Sequence, residues 1–114
     1  MRLGADGVRV GTRFVVCTES SAHPLYVEAI LEANGEDATV LTEWFSAGWE
    51  HAPHRVLTSA LAAAQVSDWR NFDPPSREVE RDPRDMAMYA GAGVGDITSA
   101  GSAADAVADL VRLL

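Results

Sequence analysis

Three histidines and one cysteine are the side chains of this sequence best suited to hold a metal ion. His51 and His54 are three positions apart, but Ala52-Pro53 between them does not favour a regular helical pair. Cys17 and His23 are two other possible ligands, but no CxxC or HExxH pattern accompanies any of the four residues. We therefore predict no metal site, and we expect the histidine pair to be loop residues that hydrogen-bond to neighbours or solvent.

Nucleophilic catalysis has little support in the residue pattern. Cys17 precedes Thr18-Glu19 and has no basic cluster nearby, whereas a reactive thiolate needs an adjacent cation or a helix N-terminus. The pattern predicts a buried, unreactive thiol. Ser20, Ser21 and Ser59 lack the G-x-S-x-G frame of a serine hydrolase.

Two elements are predicted near the N-terminus. Gly7-Val8-Arg9-Val10-Gly11 predicts a short strand between turn residues, and the apolar character continues through residues 14–16. A helix follows, because apolar residues recur at helical spacing from Ala22 to Ala33. The residues expected to cap and end this helix are Ser20, Ser21, Pro24 and Gly35.

Short elements and a polar stretch are predicted in the middle of the chain. Residues 39–42 indicate an extended segment, and Pro53 is expected to begin a helix. The apolar stripe of that helix would be Leu57, Ala60, Leu61 and Ala64. Residues 65–85 are polar and predict a surface excursion or linker, and residues 85–89 predict a short helix before the glycine run at 91–95.

The last helix has the clearest signals. Ser102 with Asp105 resembles a capping box, which begins a helix. Its apolar face would carry Ala103, Ala106, Val107, Leu110 and Leu114. One strand with three or four helices predicts an α/β chain that is mostly helical in isolation. A single strand cannot satisfy its own backbone groups, so we expect it to need a sheet from elsewhere.

Composition excludes several classes of protein. The chain has 114 residues, and its nine basic residues are all arginine against 17 Asp+Glu, a net charge of −8, which does not suit nucleic-acid binding. No apolar run approaches the roughly 20 residues of a membrane span, and the N-terminus lacks the apolar core of a signal peptide. One cysteine cannot form an internal disulfide. We therefore expect a cytoplasmic protein that binds neither nucleic acid nor membrane.

An ordered set of motifs carries a family resemblance. GADGVRVGTRF at 4–14 and ESSAHPLYVEAIL at 19–31 resemble the C-terminal part of the nitronate monooxygenases, also called 2-nitropropane dioxygenases. These are FMN-dependent TIM-barrel enzymes related to the FMN-type enoyl-acyl carrier protein reductases. APHRVL at 52–57 and MAMYAGAGVG at 86–95 follow in the family's order, whereas residues 65–85 carry little of the resemblance.

The resemblance implies an FMN site at the first motif. In the family this segment is the last barrel strand and the loop after it, where backbone N–H groups hold the cofactor phosphate. The implied FMN contacts are Arg9, Val10, Gly11 and Thr12. Gly11 lets the backbone approach a phosphate closely, and Thr12 adds a hydroxyl donor. The family often has glutamine at the positions of Arg9 and Ala92, and a plain strand-exit turn at Gly11-Thr12 is the alternative interpretation.

The resemblance also divides the chain and predicts its role. Residues 1–16 would be the last barrel strand and flavin-phosphate loop, residues 17–95 a helical insertion with a polar linker at 65–85, and residues 96–114 the C-terminal barrel helix. Seven strands and the family's catalytic histidine would lie upstream, so no catalytic residue is assigned. The implied function is the C-terminal part of an FMN-dependent oxidoreductase that converts alkyl nitronates to carbonyl compounds and nitrite.

Other interpretations stay open. A non-catalytic helical interaction module or a truncated product would pair, with itself or with a complementing chain, through its orphan strand. The apolar residues of that region are Val8, Val10, Phe14, Val15 and Val16. The sequence does not separate nitronate oxidation from enoyl or quinone reduction. The aromatic residues Trp44, Phe45 and Trp49 would either stack on the flavin ring or form a packed mini-core.

Overall fold

Four helices and a two-stranded sheet form the regular structure of residues 4–46, 48–68 and 73–112, which the computed structural model describes. In chain order they are α1 (Thr12–Val15), α2 (Pro24–Glu32), β1 (Thr39–Thr42), β2 (His54–Leu57), α3 (Thr58–Gln65) and α4 (Ala103–Arg112). Single turns of 3-10 helix lie at Glu36–Ala38 and Val94–Asp96. The mixed α/β class agrees with the prediction, although the sheet is not the strand that the sequence indicated.

The predicted strand at residues 7–11 is wrong for this structure. Residues 4–10 are exposed and belong to no strand, and the chain turns into α1 immediately after Gly11. Residues 14–16, expected to extend the strand, lie in the single turn of α1 and just beyond it. The physical reason is the lack of a pairing partner for residues 7–11 among the described residues, because a strand persists only where a neighbour takes its backbone hydrogen bonds.

The start of α2 differs from the predicted capping. His23 is the N-cap, and its Nδ1 accepts a hydrogen bond from the Leu25 N–H at 3.1 Å. The Ser20 hydroxyl instead accepts the Ala22 N–H, so the prediction that the serines cap the helix is wrong. Pro24 occupies the first turn as predicted. A proline there costs nothing, because its missing N–H would have no partner inside the helix.

The end of α2 comes before the predicted glycine stop. The helix ends at Glu32, and Gly35 follows with φ of +87°, a backbone conformation that favours glycine. Tyr26 and Ile30 are one turn apart and both buried, so they form the inward face of the helix.

The predicted start of a helix at Pro53 is wrong, because a hairpin of β1 and β2 occupies His54–Leu57 and the helix, α3, begins at Thr58. The strands pair antiparallel from Thr39 opposite Leu57 to Thr42 opposite His54, which confirms the extended segment at 39–42. Residues 88–90 run along the other edge of β2. There Leu57 N–H donates to the Met88 carbonyl at 2.9 Å. The helix predicted at 85–89 is therefore also wrong, because backbone pairing with β2 holds its second half extended.

Two buried clusters pack on opposite sides of β2. Leu57 belongs to the larger one, with residues of α2, α3 and the segment 88–94, namely Tyr26, Ile30, Ala60, Met88, Ala90 and Val94, together with Val16. Val56 belongs to the smaller one with Phe45, Ala64 and Ala87. Successive strand residues point to opposite faces, which explains the division. The described part of the polar segment is irregular, but it buries Pro75 and Pro83.

Two side chains fix the start of α4. The Ser102 hydroxyl accepts the Asp105 N–H at 3.0 Å, as the capping pattern predicted. The Glu19 carboxylate accepts the Ala103 N–H at 3.0 Å from a position 84 residues earlier, which no local pattern indicates. Ala106 is buried, and the predicted face residue Leu114 lies outside the described residues. Among the described residues, no helix combines the length and apolar character that crossing a membrane requires.

Candidate functional site

A cavity of about 590 Å³ lies beside Gly11-Thr12. Its wall is built from five parts of the chain, which are the start of α1, the loop and first turn around α2, β2, residues 74–76 and residues 89–91. The volume is in the range of small-molecule sites. Apart from Arg55, the wall residues that the structure describes carry no formal charge. The cavity is therefore suited to a ligand with a largely apolar body and a few polar groups.

One hydrogen bond at the edge of this cavity joins the motif at residues 4–14 to the motif at residues 86–95. Thr12 Oγ1 accepts the Gly91 N–H at 2.9 Å across 79 positions of sequence. Because the oxygen already accepts this proton, the Thr12 O–H remains available to donate to a further acceptor. Gly11, Thr12 and Gly91 all line the cavity. The structure therefore brings together two glycine motifs whose proximity no sequence period could show.

The loop around Gly11 has features that suit a phosphate. Gly11 is the N-cap of α1, and the described residues make no side-chain cap hydrogen bond at this end of the helix. A Cβ added at Gly11 would meet no atom within 4 Å, so the space over this residue is open. Exposed amides and a threonine hydroxyl are the donors that commonly hold phosphate oxygens. The residues present therefore fit the phosphate group of FMN.

The four predicted FMN contacts divide into two pairs. Gly11 and Thr12 line the cavity, whereas Arg9 and Val10 lie in the exposed segment 4–10 and are not among its wall residues. Their role toward FMN stays a prediction. Val8 in the same segment is 63% exposed, so these residues have few contacts with the rest of the described chain.

A pair of tyrosines forms the apolar side of the cavity. The Tyr26 hydroxyl donates to the Tyr89 carbonyl at 2.5 Å, which connects α2 to the segment along β2. Burial, followed by the neighbouring Tyr89, raises the pKa of Tyr26 well above its ordinary value. Burial, followed by the charge of Asp73, also raises the pKa of Tyr89. Both phenols are therefore uncharged at neutral pH and add no charge to the wall.

His54 has a structural role beside this wall. Its ring lies edge-on to the Tyr89 ring with centroids 5.6 Å apart. Nε2 accepts the Phe45 N–H at 3.3 Å, and Nδ1 lies 3.0 Å from the Ala52 carbonyl. These partners indicate the Nδ1–H tautomer, in which both ring nitrogens are used. The expectation of a hydrogen-bonded histidine is confirmed for His54, although it lies in β2 rather than in a loop.

The aromatic cluster lies away from the cavity. Phe45 is buried in the smaller core cluster with Trp44 packed against it, whereas Trp49 is 77% exposed. None of the three is a wall residue of the cavity. The structure favours the mini-core interpretation for Trp44 and Phe45. Cys17 is buried, as predicted, with its thiol 3.6 Å from the Arg13 carbonyl.

Most of the wall was missed by reasoning from the sequence. Tyr26, Arg55, Tyr89 and the segment 74–76 line the cavity, although none was a predicted site residue. Backbone bonds position the last segment against the loop before α2. The Pro75 carbonyl accepts the N–H of His23, the N-cap of α2, at 3.0 Å. Arg55 and Tyr89 lie in the motifs at 52–57 and 86–95. In the sequence these motifs supported the family resemblance but did not indicate that their residues line a site.

Comparison with known proteins identifies the family. The family model described as nitronate monooxygenase matches residues 1–112, and the chain belongs to this family. A protein from Bacillus subtilis (strain 168) named probable nitronate monooxygenase is 30% identical over an alignment of 106 residues, and the match covers 86% of this chain. The chain spans about 30% of the length of that curated relative.

Proposed function

We propose that this chain is the C-terminal part of an FMN-dependent nitronate monooxygenase and supplies part of its cofactor site. Family membership supports the reaction class, and the cavity beside Gly11-Thr12 supports the place of the cofactor. Bound FMN supplies the redox chemistry by which an alkyl nitronate is oxidised to a carbonyl compound and nitrite. The residues of this chain bind and orient, because the family's catalytic histidine is expected in another part of the enzyme.

The junction of Gly11, Thr12 and Gly91 is the single observation that carries the proposal. The Gly91 amide holds the Thr12 oxygen at 2.9 Å, which directs the Thr12 O–H toward a different acceptor. The uncapped first turn of α1 adds amide donors at the same edge of the cavity. In this proposal the Thr12 O–H and these backbone amides donate hydrogen bonds to the phosphate of FMN. Arg9, in the exposed segment 4–10, is the residue proposed to contribute a positive charge to phosphate binding.

The proposed fold of the whole enzyme is a TIM barrel to which this chain contributes the last unit. Residues 4–10 would become the eighth parallel strand, and the side chains of Val8 and Val10 would pack in the apolar side-chain layers of the barrel. Their exposure in this chain supports the proposal, because a barrel strand without its neighbours has no pairing partner. Contact of α1 with α4 holds the C-terminal helix next to this segment, as the proposed barrel unit requires.

Cofactor binding by the assembled protein tests the proposal. FMN fluorescence would be followed with this chain alone and then with a polypeptide comprising the unmatched part of the Bacillus subtilis relative. We expect tight FMN binding only in the mixture, because a cofactor site is formed by several loops together. Thr12→Val should weaken FMN binding about 10-fold through loss of a donor to an anion. Thr98→Val is the matched control, because Thr98 is exposed and lies outside the cavity wall.

The outcomes separate the alternatives. Tight binding by this chain alone would contradict the need for a barrel, and equal binding by Thr12→Val would contradict the phosphate contact. A chain that binds no FMN in either sample, but sediments as a stable dimer, would instead be the interaction module that pairs through residues 4–10.

A further inference from the structure

Among the described residues, Arg55 is the one wall residue of the cavity with a formal charge. It lies in β2 and is half-buried, so its guanidinium is partly removed from water. A half-buried cation is costly unless hydrogen bonds or an opposite charge compensate it. The partner of this charge therefore bears on what the cavity binds.

The described residues provide little compensation for the Arg55 charge. Its Nη1 donates to the Thr39 hydroxyl at 3.3 Å, which uses one of five guanidinium donors. The ion pairs of the described residues belong to three other arginines, at positions 81, 84 and 112. The chain carries a net charge of −8, yet none of its described carboxylates lies within salt-bridge distance of Arg55. A guanidinium with unused donors, beside a cavity whose other described wall residues are uncharged, favours an anionic ligand.

We propose that Arg55 binds the oxyanion end of the substrate, which rests on the proposed function in nitronate oxidation. A nitronate carries its negative charge on two oxygens of one planar group, and this geometry matches the paired donors of a guanidinium. The rest of the wall, with Val15, Pro75 and Ala90, offers apolar surface for the alkyl groups. Arg55 thereby selects small, anionic nitronates over the neutral nitroalkanes from which they form. It binds and orients, and it transfers no proton.

The backbone of Arg55 holds the side chain in place from two directions. On one side Arg55 pairs with Leu41 of β1. On the other side its carbonyl accepts the Ala90 N–H at 3.1 Å. A side-chain substitution leaves both contacts intact, so Arg55→Gln should fold, and circular dichroism with a melting curve checks this. Arg55→Lys keeps the charge but loses the planar fork.

Ligand binding to the FMN-loaded mixture of this chain and its barrel partner tests the inference. The probes are isobutyrate, an unreactive anion with the same heavy-atom connectivity as the nitronate of 2-nitropropane and a planar carboxylate at its charged end, and isobutyramide, its neutral counterpart. Changes in flavin absorbance report their dissociation constants. We expect Arg55→Gln to weaken isobutyrate binding between about 10-fold and about 100-fold and to leave isobutyramide binding unchanged. Arg55→Lys should give a smaller loss. Arg84→Gln is the control, because Arg84 is exposed and lies outside the cavity wall.

The outcomes distinguish failure of the inference about Arg55 from failure of the proposed function. Isobutyrate binding that Arg55→Gln leaves unchanged overturns the inference, while FMN binding by the parent mixture still supports the proposed function. Loss of FMN itself in Arg55→Gln also overturns it, because the arginine would then hold the cofactor. If Arg55→Gln does not fold, Arg55→Lys decides alone, and an unchanged isobutyrate affinity overturns the fork geometry. A parent mixture that binds no FMN overturns the proposed function and this inference together.

Discussion

Replacing Tyr26 with phenylalanine removes one buried hydroxyl and keeps the ring. That hydroxyl donates to the Tyr89 carbonyl at 2.5 Å, and Tyr26 is 3% exposed. Without it a part-buried carbonyl loses its hydrogen bond, which costs about 1–2 kcal/mol of unfolding free energy. For a domain of this length, we expect the melting temperature at neutral pH to fall by about 5–10 °C.

The same substitution changes how stability depends on pH. Burial, followed by the neighbouring Tyr89, raises the pKa of Tyr26 above its ordinary value of 10.0. The unfolded chain releases this proton near the ordinary pKa, while the folded chain keeps it. The contribution to stability is therefore complete below about pH 10 and falls above it. From about pH 9 to about pH 11 the loss is about 1.4 kcal/mol for one such group, and Tyr26→Phe abolishes it.

Urea unfolding at both pH values measures this effect. The chain suits the experiment because it has no lysine and only two tyrosines, so few groups titrate in this range. We expect the stability gap between the parent chain and Tyr26→Phe to narrow by about 1.4 kcal/mol at the higher pH. Tyr89→Phe is the comparison variant, since it keeps the Tyr26 hydroxyl and its burial, the larger cause of the raised Tyr26 pKa, and removes the Tyr89 titration together with its smaller effect on Tyr26. A gap that is the same at both pH values refutes the argument that burial holds the proton on Tyr26.

Three further substitutions test other contacts. Glu19→Ala removes the acceptor of the Ala103 N–H at the start of α4 and should cost about 1 kcal/mol, measured by urea unfolding, and an unchanged midpoint would contradict the cap. His54→Phe keeps an aromatic ring but leaves the Phe45 N–H without its acceptor, while the Ala52 carbonyl still accepts the Ser46 hydroxyl, so we expect a loss of about 1 kcal/mol in the same assay, and a neutral result would mean that water replaces the imidazole. Val8→Asp should leave the stability of the chain unchanged, because Val8 is exposed, but should prevent assembly with the barrel partner in gel filtration. Normal assembly would argue against strand pairing there.

The secondary structure was predictable where neighbouring residues decide it. Ser102 and the apolar spacing after it are a local signal, and α4 begins where they indicate. The helix predicted to begin at Pro53 begins instead at Thr58, because His54–Leu57 is held extended by β1 on one edge and by residues 88–90 on the other. Such pairing depends on residues 12 to 18 positions away in β1 and more than 30 positions away in the segment 88–90, and no local propensity reports it.

The candidate site was predictable only in part for the same reason. The motif containing Gly11-Thr12 is contiguous, so its glycine and hydroxyl could be recognised from the sequence. Arg55 and Tyr89 belong to the cavity because β2 and the segment beside it run together past α2. An arginine in a strand is ordinary until its surroundings are known. Its significance lies in the lack of a carboxylate partner among the residues that the structure describes, which is a property of the folded chain.

The position of Cys17 gives the protein an intrinsic reporter of motion. Cys17 is the only thiol of the chain, and it is buried where its backbone bridges Gly101, just before α4. The next residue, Thr18, donates its N–H to the Gly101 carbonyl at 2.9 Å. Because the sulfur is buried, we expect a thiol reagent to reach it when the backbone pairing between Cys17 and Gly101 opens. The labelling rate would then measure how often α4 separates transiently from this part of the chain. Slower labelling after the barrel partner is added would show how strongly that partner clamps the helix in place.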